Sequence, residues 1–219
     1  MKGTSMYEGH TSDHGIGGAE STPLFAPPWQ RFVVLGDVTV KSPGSTRGKS
    51  GSVPWTDRVA ETLRSARPNL AYLNLGRRGH SATQVRAKQL ARALAFRGDL
   101  AVVVAGGHEA LRDPFDVDAT EAELHRIVGP LRDSGADVIT LGVGPLLSEP
   151  AVEEHRGGLQ QRLRLLAERT RELALQHGAL HVDMTGDGDV RRTGASDDAV
   201  AAAVIRRLRT HLDATQVAA

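Results

Sequence analysis

The feature that most constrains the fold is a series of five short apolar runs separated by segments of helix length. The runs are Phe32–Leu35, Leu70–Leu75, Leu100–Ala105, Val138–Val143 and Ala179–Val182. Most of them are continuously apolar and rich in valine and leucine, which is typical of strands buried on both faces of a parallel sheet. The runs therefore predict five strands of one parallel sheet.

Amphipathic segments occupy the intervals between these strands. They are Pro54–Ala66, Ser81–Ala95, Asp118–Ser134, Gly158–His177 and Asp197–Leu212. The second opens on Ser-x-x-Gln, a capping-box pattern that marks a helix start. The alternation of strands and helices predicts an α/β fold, namely a three-layer α/β/α sandwich around a doubly wound, five-stranded parallel sheet of the flavodoxin-like kind.

The length of 219 residues suits one domain. Residues 1–30 are rich in Gly, Ser, Thr and Pro, which predicts a flexible N-terminal arm before a folded domain over residues 31–215. No apolar run approaches the roughly 20 residues that span a bilayer, and residues 1–30 lack the apolar stretch of a secretory signal. We therefore expect a cytoplasmic protein without a membrane partner.

Composition excludes several classes of partner. The chain has no cysteine, which rules out disulfides and thiol chemistry. Its 27 basic and 26 acidic side chains give a net charge of +1 without a basic stripe, so nucleic acid is not an expected partner. No cluster has metal-ligand spacing, and we predict neither a metal nor a cofactor. A small-molecule substrate or ligand is the expected partner, and the sequence indicates no oligomeric state.

Polar residues and glycines follow the strands, where ligand sites of doubly wound sheets lie. Gly36, Asp37 and Val38 follow the first strand, Gly79 follows the second, and Gly107, His108 and Glu109 follow the third. In this order the segments resemble the conserved blocks of the SGNH (GDSL-type) hydrolase superfamily, across residues 31–210. The sequence around Gly107, His108 and Glu109, the third of these blocks, resembles that of bacterial, specifically actinobacterial, members most closely.

The resemblance also identifies three departures from the family pattern. Family members use a serine nucleophile, a histidine base and an asparagine that helps to hold the oxyanion. Here Val38 stands at the serine, His108 at the asparagine, and Arg191 or Arg192 at the histidine. Valine offers no nucleophile, and arginine stays protonated and cannot serve as a base. The catalytic triad is thus degenerate, and ordinary serine-dependent ester hydrolysis is not expected.

The alignment at the nucleophile has two solutions. The family often carries a threonine two residues after the serine, whereas Thr39 directly follows Val38. A one-residue deletion would place Asp37 at the nucleophile turn, where a carboxylate can attack or act as a base. In the other interpretation Asp37 is a structural aspartate that accepts hydrogen bonds from backbone near the turn.

The first functional hypothesis is a repurposed enzyme that acts on an acyl or carboxylate-bearing small molecule. His108 would be the acid/base, with Asp37 or Glu109 as its partner, although a structural role is the alternative for Glu109. The predicted substrate-binding residues are Gly36, Val38, Thr39, Gly79, Gly107, Arg191 and Arg192. Among them, the Gly79 amide would hold an oxyanion, and an arginine would anchor a carboxylate.

Two alternatives remain open. The first is a catalytically inactive pseudoenzyme that keeps the fold and serves as a ligand-binding or partner-regulating module. The second is an ester or acyl hydrolase with a displaced nucleophile, for which Ser42, Ser45 and Ser50 are the candidates in the loop after the first strand.

Restoring the serine alone should not restore ester hydrolysis. We expect Val38→Ser to release p-nitrophenolate from p-nitrophenyl acetate no faster than wild type or a Val38→Ala control. The reason is that Arg191 or Arg192 stands where the family has its histidine base. A rate increase of about 100-fold or more in Val38→Ser, the size of a typical general-base contribution, would contradict this interpretation.

Overall fold

The predicted sheet is present in the computed structural model of the chain, which describes residues 27–37, 53–142, 156–184 and 196–217. Its strands are β1 (Arg31–Gly36), β2 (Ala71–Asn74), β3 (Leu100–Val104), β4 (Asp137–Leu141) and β5 (Leu180–Val182). They are all parallel and follow the order β2-β1-β3-β4-β5. This order confirms the doubly wound prediction and places the switch point between β1 and β3.

Helices cover both faces of the sheet. They are α1 (Trp55–Ala66), α2 (Ala82–Val85), α3 (Ala91–Phe96), α4 (Gly107–Ala110), α5 (Val117–Asp133), α6 (Arg156–Gln176) and α7 (Asp197–Val217). A π-helical turn, Arg86–Leu90, joins α2 to α3, and Ser81 and Gln84 form the capping box at the start of α2. Helix α1 packs against α7, and α5 packs against α2 and α6.

The core is centred on the two strands beside the switch point. Apart from Arg31, every residue of β1 is buried, and every residue of β3 is buried. Strand β2 lies at an edge and is only half-buried, ending in the exposed Asn74. A continuous apolar run thus corresponds to a strand buried on both faces at the centre of the sheet. The edge strand β2 has such a run but is less buried.

Gly36 ends β1 in a conformation that excludes other residues. Its φ is +130°, and a Cβ at this position would lie 1.8 Å from the carbonyl oxygen of Val104. The next residue, Asp37, donates its backbone N–H to that same oxygen at 2.8 Å. The close approach fixes the turn after β1 against the end of β3, and only glycine permits it.

Only the last residues of the predicted arm are described. Trp29 is buried, and its indole Nε1 donates to Asp137 Oδ2 at 2.9 Å. Residues 1–26 lie outside the described part of the chain. Within the described part, none of the helices combines the length and the apolar character needed to cross a membrane.

His181 on β5 makes the fold sensitive to acid. Its Nδ1 lies 2.9 Å from Thr140 Oγ1 on β4. Burial, reinforced by Arg171 and Arg207 and opposed by Asp183, lowers the pKa of His181 to about 4 from an ordinary value of 6.5. The folded chain therefore holds His181 neutral at pH values where the unfolded chain protonates it.

Stability should fall as the pH drops from 6.5 towards 4, because the unfolded state then binds a proton that the folded state excludes. This depressed pKa corresponds to a loss of about 3 kcal/mol across that range. Urea unfolding at several pH values should show a weaker acid-induced loss in His181→Asn than in wild type. A matched control, His211→Asn, should keep the wild-type dependence, and equal slopes in all three proteins would contradict the assignment.

Candidate functional site

The carboxyl ends of β1, β2 and β3 meet at one edge of the sheet. Gly36 is paired with Val104 in the β1–β3 register, and Val34 is paired with Asn74 in the β1–β2 register. The residues that follow these strands therefore lie together beside the switch point. We call this group the strand-end site, and its described members are Gly36, Asp37, Gly79, His80, Gly107, His108 and Glu109.

Asp37 joins the turn after β1 to the loop after β2. Its Oδ1 accepts a hydrogen bond from the backbone N–H of Gly79 at 2.9 Å. This contact fits the interpretation of Asp37 as an aspartate that binds backbone. It also gives a carboxylate acceptor to the same amide that the family resemblance assigns to an oxyanion.

Gln89 also holds the end of β1. It lies in the π-helical turn and is 2% exposed. Its Oε1 accepts from the backbone N–H of Gly36 at 2.7 Å, and its Nε2 donates to the Gly36 carbonyl oxygen at 3.3 Å. Short π-helical segments occur frequently at functional sites.

His80 extends the hydrogen bonds between Gln89 and Gly36. Its Nδ1 lies 3.1 Å from Gln89 Nε2, and its ring is half-buried. Neither His80 nor Gln89 is among the predicted site residues. The signal for Gln89 was available, because it occupies the buried face of its helix between Val85 and Ala93, where a glutamine needs polar partners.

Glu109 ties α4 to the start of α2. Its Oε1 accepts from the backbone N–H of Ala82, and its Oε2 is buried without a hydrogen-bond partner among the described residues. A carboxylate at a helix N-terminus is favoured by the helix dipole. Gly106, which begins the turn into α4, has a φ of +95°, and a Cβ there would press on Leu166 and Thr120.

His108 differs from its neighbours in having no such partner. Its side chain is half-buried on α4, and it forms no hydrogen bond or ion pair with any other described residue. Asp37 and Glu109, in contrast, both accept from backbone amides. Within the described residues, His108 therefore keeps both ring nitrogens available for a ligand.

A cleft of about 190 Å³ opens beside α4. Its lining includes Thr83, Glu109, Arg112, Asp116 and Thr120. Of the strand-end site's described residues, Glu109 lines this cleft, whereas His80 and His108 do not. Among the described residues, no group of three or more His, Cys, Asp or Glu side chains could hold a metal ion.

Several predicted site residues fall outside the described part of the chain. They are Val38, Thr39, Arg191 and Arg192, together with the alternative nucleophiles Ser42, Ser45 and Ser50. Their predicted roles therefore stay predictions.

This architecture, with its site at the ends of β1, β2 and β3, is that of an SGNH-type α/β hydrolase fold. The model of the GDSL-like lipase/acylhydrolase family matches residues 34–215. The chain therefore belongs to the GDSL-like lipase/acylhydrolase family, as the sequence resemblance predicted. No curated protein sequence matches the chain.

Solved structures agree with the fold. The acetylxylan esterase Axe2 from Geobacillus stearothermophilus superposes with a TM-score of 0.61 at 14% identity, covering 82% of this chain and 94% of that one. LAE5, an α/β hydrolase enzyme from the metagenome of Lake Arreo, Spain, gives a TM-score of 0.64 at 17% identity, covering 84% and 96%. At these identities the likeness establishes the fold alone.

The ring of His108, which has no partner within the described part of the chain, should react readily with diethyl pyrocarbonate, which acylates neutral imidazole nitrogen. We expect peptide mass spectrometry to find His108 modified at least several-fold faster than His181, whose Nδ1 contacts Thr140. Equal or slower modification of His108 would mean that its ring is covered or bonded, contrary to the geometry described above.

Proposed function

We propose that the chain is a GDSL-family enzyme that acts on a small acyl or carboxylate-bearing substrate through acid–base chemistry at His108, without a serine nucleophile. The observation that carries the proposal is the difference in partnering at the strand-end site. Asp37 and Glu109 each accept from a backbone amide through one oxygen, whereas neither ring nitrogen of His108 has a partner among the described residues.

Family membership supports the class of substrate. The matching family is one of lipases and acylhydrolases, and one structurally similar protein is an acetylxylan esterase. An acyl group is the chemistry that these share. Glu109, the neighbour of His108 in sequence, lines the cleft of about 190 Å³ beside α4, which supports a substrate of modest size near this position.

The contacts support a division of roles within the site. His108 takes a proton from one substrate atom and returns a proton to another, so that the enzyme ends in its starting state. Isomerisation, elimination and cyclisation satisfy that proton balance without a covalent intermediate. Asp37 and Glu109 act by positioning the loop after β2 and α4. Arg191 or Arg192 is proposed to anchor a substrate carboxylate.

A second candidate function is a ligand-binding pseudoenzyme. Two observations favour it: position 38 is valine, and the Gly79 amide already donates to Asp37. A site without a nucleophile and with its oxyanion amide occupied can still bind a carboxylate or acyl group. Turnover that depends on His108 distinguishes the two functions.

A defined panel of acyl compounds tests the enzyme proposal. The full chain is incubated with lactones, acyl thioesters and N-acyl amines that carry an acidic C–H or a second nucleophilic group, and each compound is followed by liquid chromatography with mass spectrometry. We expect His108-dependent isomerisation, elimination or cyclisation of at least one panel member. His108→Gln should lower that rate by about 100-fold or more, the usual contribution of a general acid–base group.

His211→Gln is the matched control for this panel. His211 faces Asp137 at the start of β4. It therefore lies at the amino ends of the strands, away from the strand-end site, so this substitution should leave turnover unchanged. If wild type consumes no panel member faster than His108→Gln does, the enzyme proposal fails and the ligand-binding function is favoured.

A further inference from the structure

The side-chain amide of Gln89 can adopt only one of its two orientations. Gly36 presents its N–H at 2.7 Å and its carbonyl oxygen at 3.3 Å to the two branches of this amide. Oε1 must therefore face the N–H, and Nε2 must face the carbonyl. In a flipped amide, Nε2 would face the Gly36 N–H, donor against donor. Oε1 would face the Gly36 carbonyl oxygen, acceptor against acceptor, at a buried position.

This orientation determines the tautomer of His80. Gln89 Nε2 carries two hydrogens, of which one points to the Gly36 carbonyl, and the other is directed to His80 Nδ1 at 3.1 Å. Because an amide nitrogen only donates, Nδ1 must accept. The neutral ring then carries its proton on Nε2.

The opposite tautomer would be unfavourable here. It would set an N–H of His80 against an N–H of Gln89, whose side chain is 2% exposed. A buried donor without an acceptor loses a hydrogen bond that water cannot replace. We expect the Nε2–H form to prevail by about tenfold or more.

In this tautomer the ring of His80 carries a hydrogen-bond donor at Nε2. His80 directly follows Gly79, whose own amide is occupied by Asp37. Its ring is half-buried, and no described residue accepts a hydrogen bond from its Nε2. Gln89 connects the ring to the Gly36 backbone, and thus to the turn at the switch point.

We propose that His80 is a substrate-binding residue whose neutral Nε2–H donates to an acyl or carboxylate oxygen, and that Gln89 is the positioning residue that sets its tautomer. The role rests on the proposed function, in which His108 moves the proton. A fixed neutral donor stabilises negative charge that develops on an acyl oxygen without exchanging a proton itself. His80 thereby supplies the contact that the Gly79 amide cannot give.

Nitrogen NMR of the full chain, labelled with ¹⁵N-histidine, measures the tautomer without any substrate. At about pH 8, where imidazole is neutral, we expect His80 to show a protonated Nε2 and an unprotonated Nδ1. In Gln89→Glu the introduced carboxylate accepts rather than donates, so the His80 proton should move to Nδ1. A protonated Nδ1 in wild type would overturn the proposal even if the variant fails to fold.

Acetate is the probe for the oxygen contact. His80→Phe keeps a ring but removes the donor, whereas His80→Gln keeps a donor. We expect acetate to perturb the Nε2–H resonance of wild type, and to bind His80→Phe about tenfold more weakly than His80→Gln, as the loss of one hydrogen bond implies. Equal affinities, or no binding to wild type, would overturn the role of His80.

Kinetics on any panel compound that is consumed separate this inference from the proposed function. His80→Phe should lower kcat by about 10- to 100-fold with a smaller change in KM, since the contact strengthens as charge develops. Turnover that needs His108 but is unchanged in His80→Phe would refute this inference and leave the proposed function intact. Turnover that is indifferent to His108 would refute the proposed function.

Discussion

The approach of Gly36 to the carbonyl oxygen of Val104 is the contact on which the strand-end site depends. A Cβ at position 36 would lie 1.8 Å from that oxygen, so the turn after β1 exists in this form only with glycine. The backbone N–H of Asp37 then bonds to the same oxygen. Because β1 and β3 flank the switch point, this contact decides where the side chains after each strand come together.

Hydrogen bonds to backbone assemble the rest of the site around that turn. Asp37 reaches the amide of Gly79, Gln89 brackets Gly36, and Glu109 binds the start of α2. Each polar group thus joins one strand end to the segment after another. Among the described residues of the site, His108 has no hydrogen-bond partner, His80 uses only its Nδ1, and Glu109 has one oxygen without a partner. We propose that within this polar frame His80 donates a hydrogen bond and His108 exchanges protons.

The sheet and its long helices were predictable from the sequence, because continuous apolar runs and capped amphipathic segments are local signals. Helix α4 and the π-helical turn Arg86–Leu90 were not predicted. The bond of Asp37 to backbone was one of two alternatives, and only the position of Gly79 in space favours it. The burial of Gln89 was predictable, but its partners were not, because its contact with Gly36 joins residues 53 positions apart and its contact with His80 joins a helix to the loop after β2. The tautomer of His80 follows from that pairing alone, so no pattern in the chain contains it.

The most direct test of this account is a crystal structure of the full chain with acetate. The account predicts one acetate at the strand-end site, with oxygen atoms within about 3.2 Å of His80 Nε2 and of a ring nitrogen of His108. Two rings that point into separate cavities, too far apart to contact one small ligand, would contradict the claim that they serve a single site.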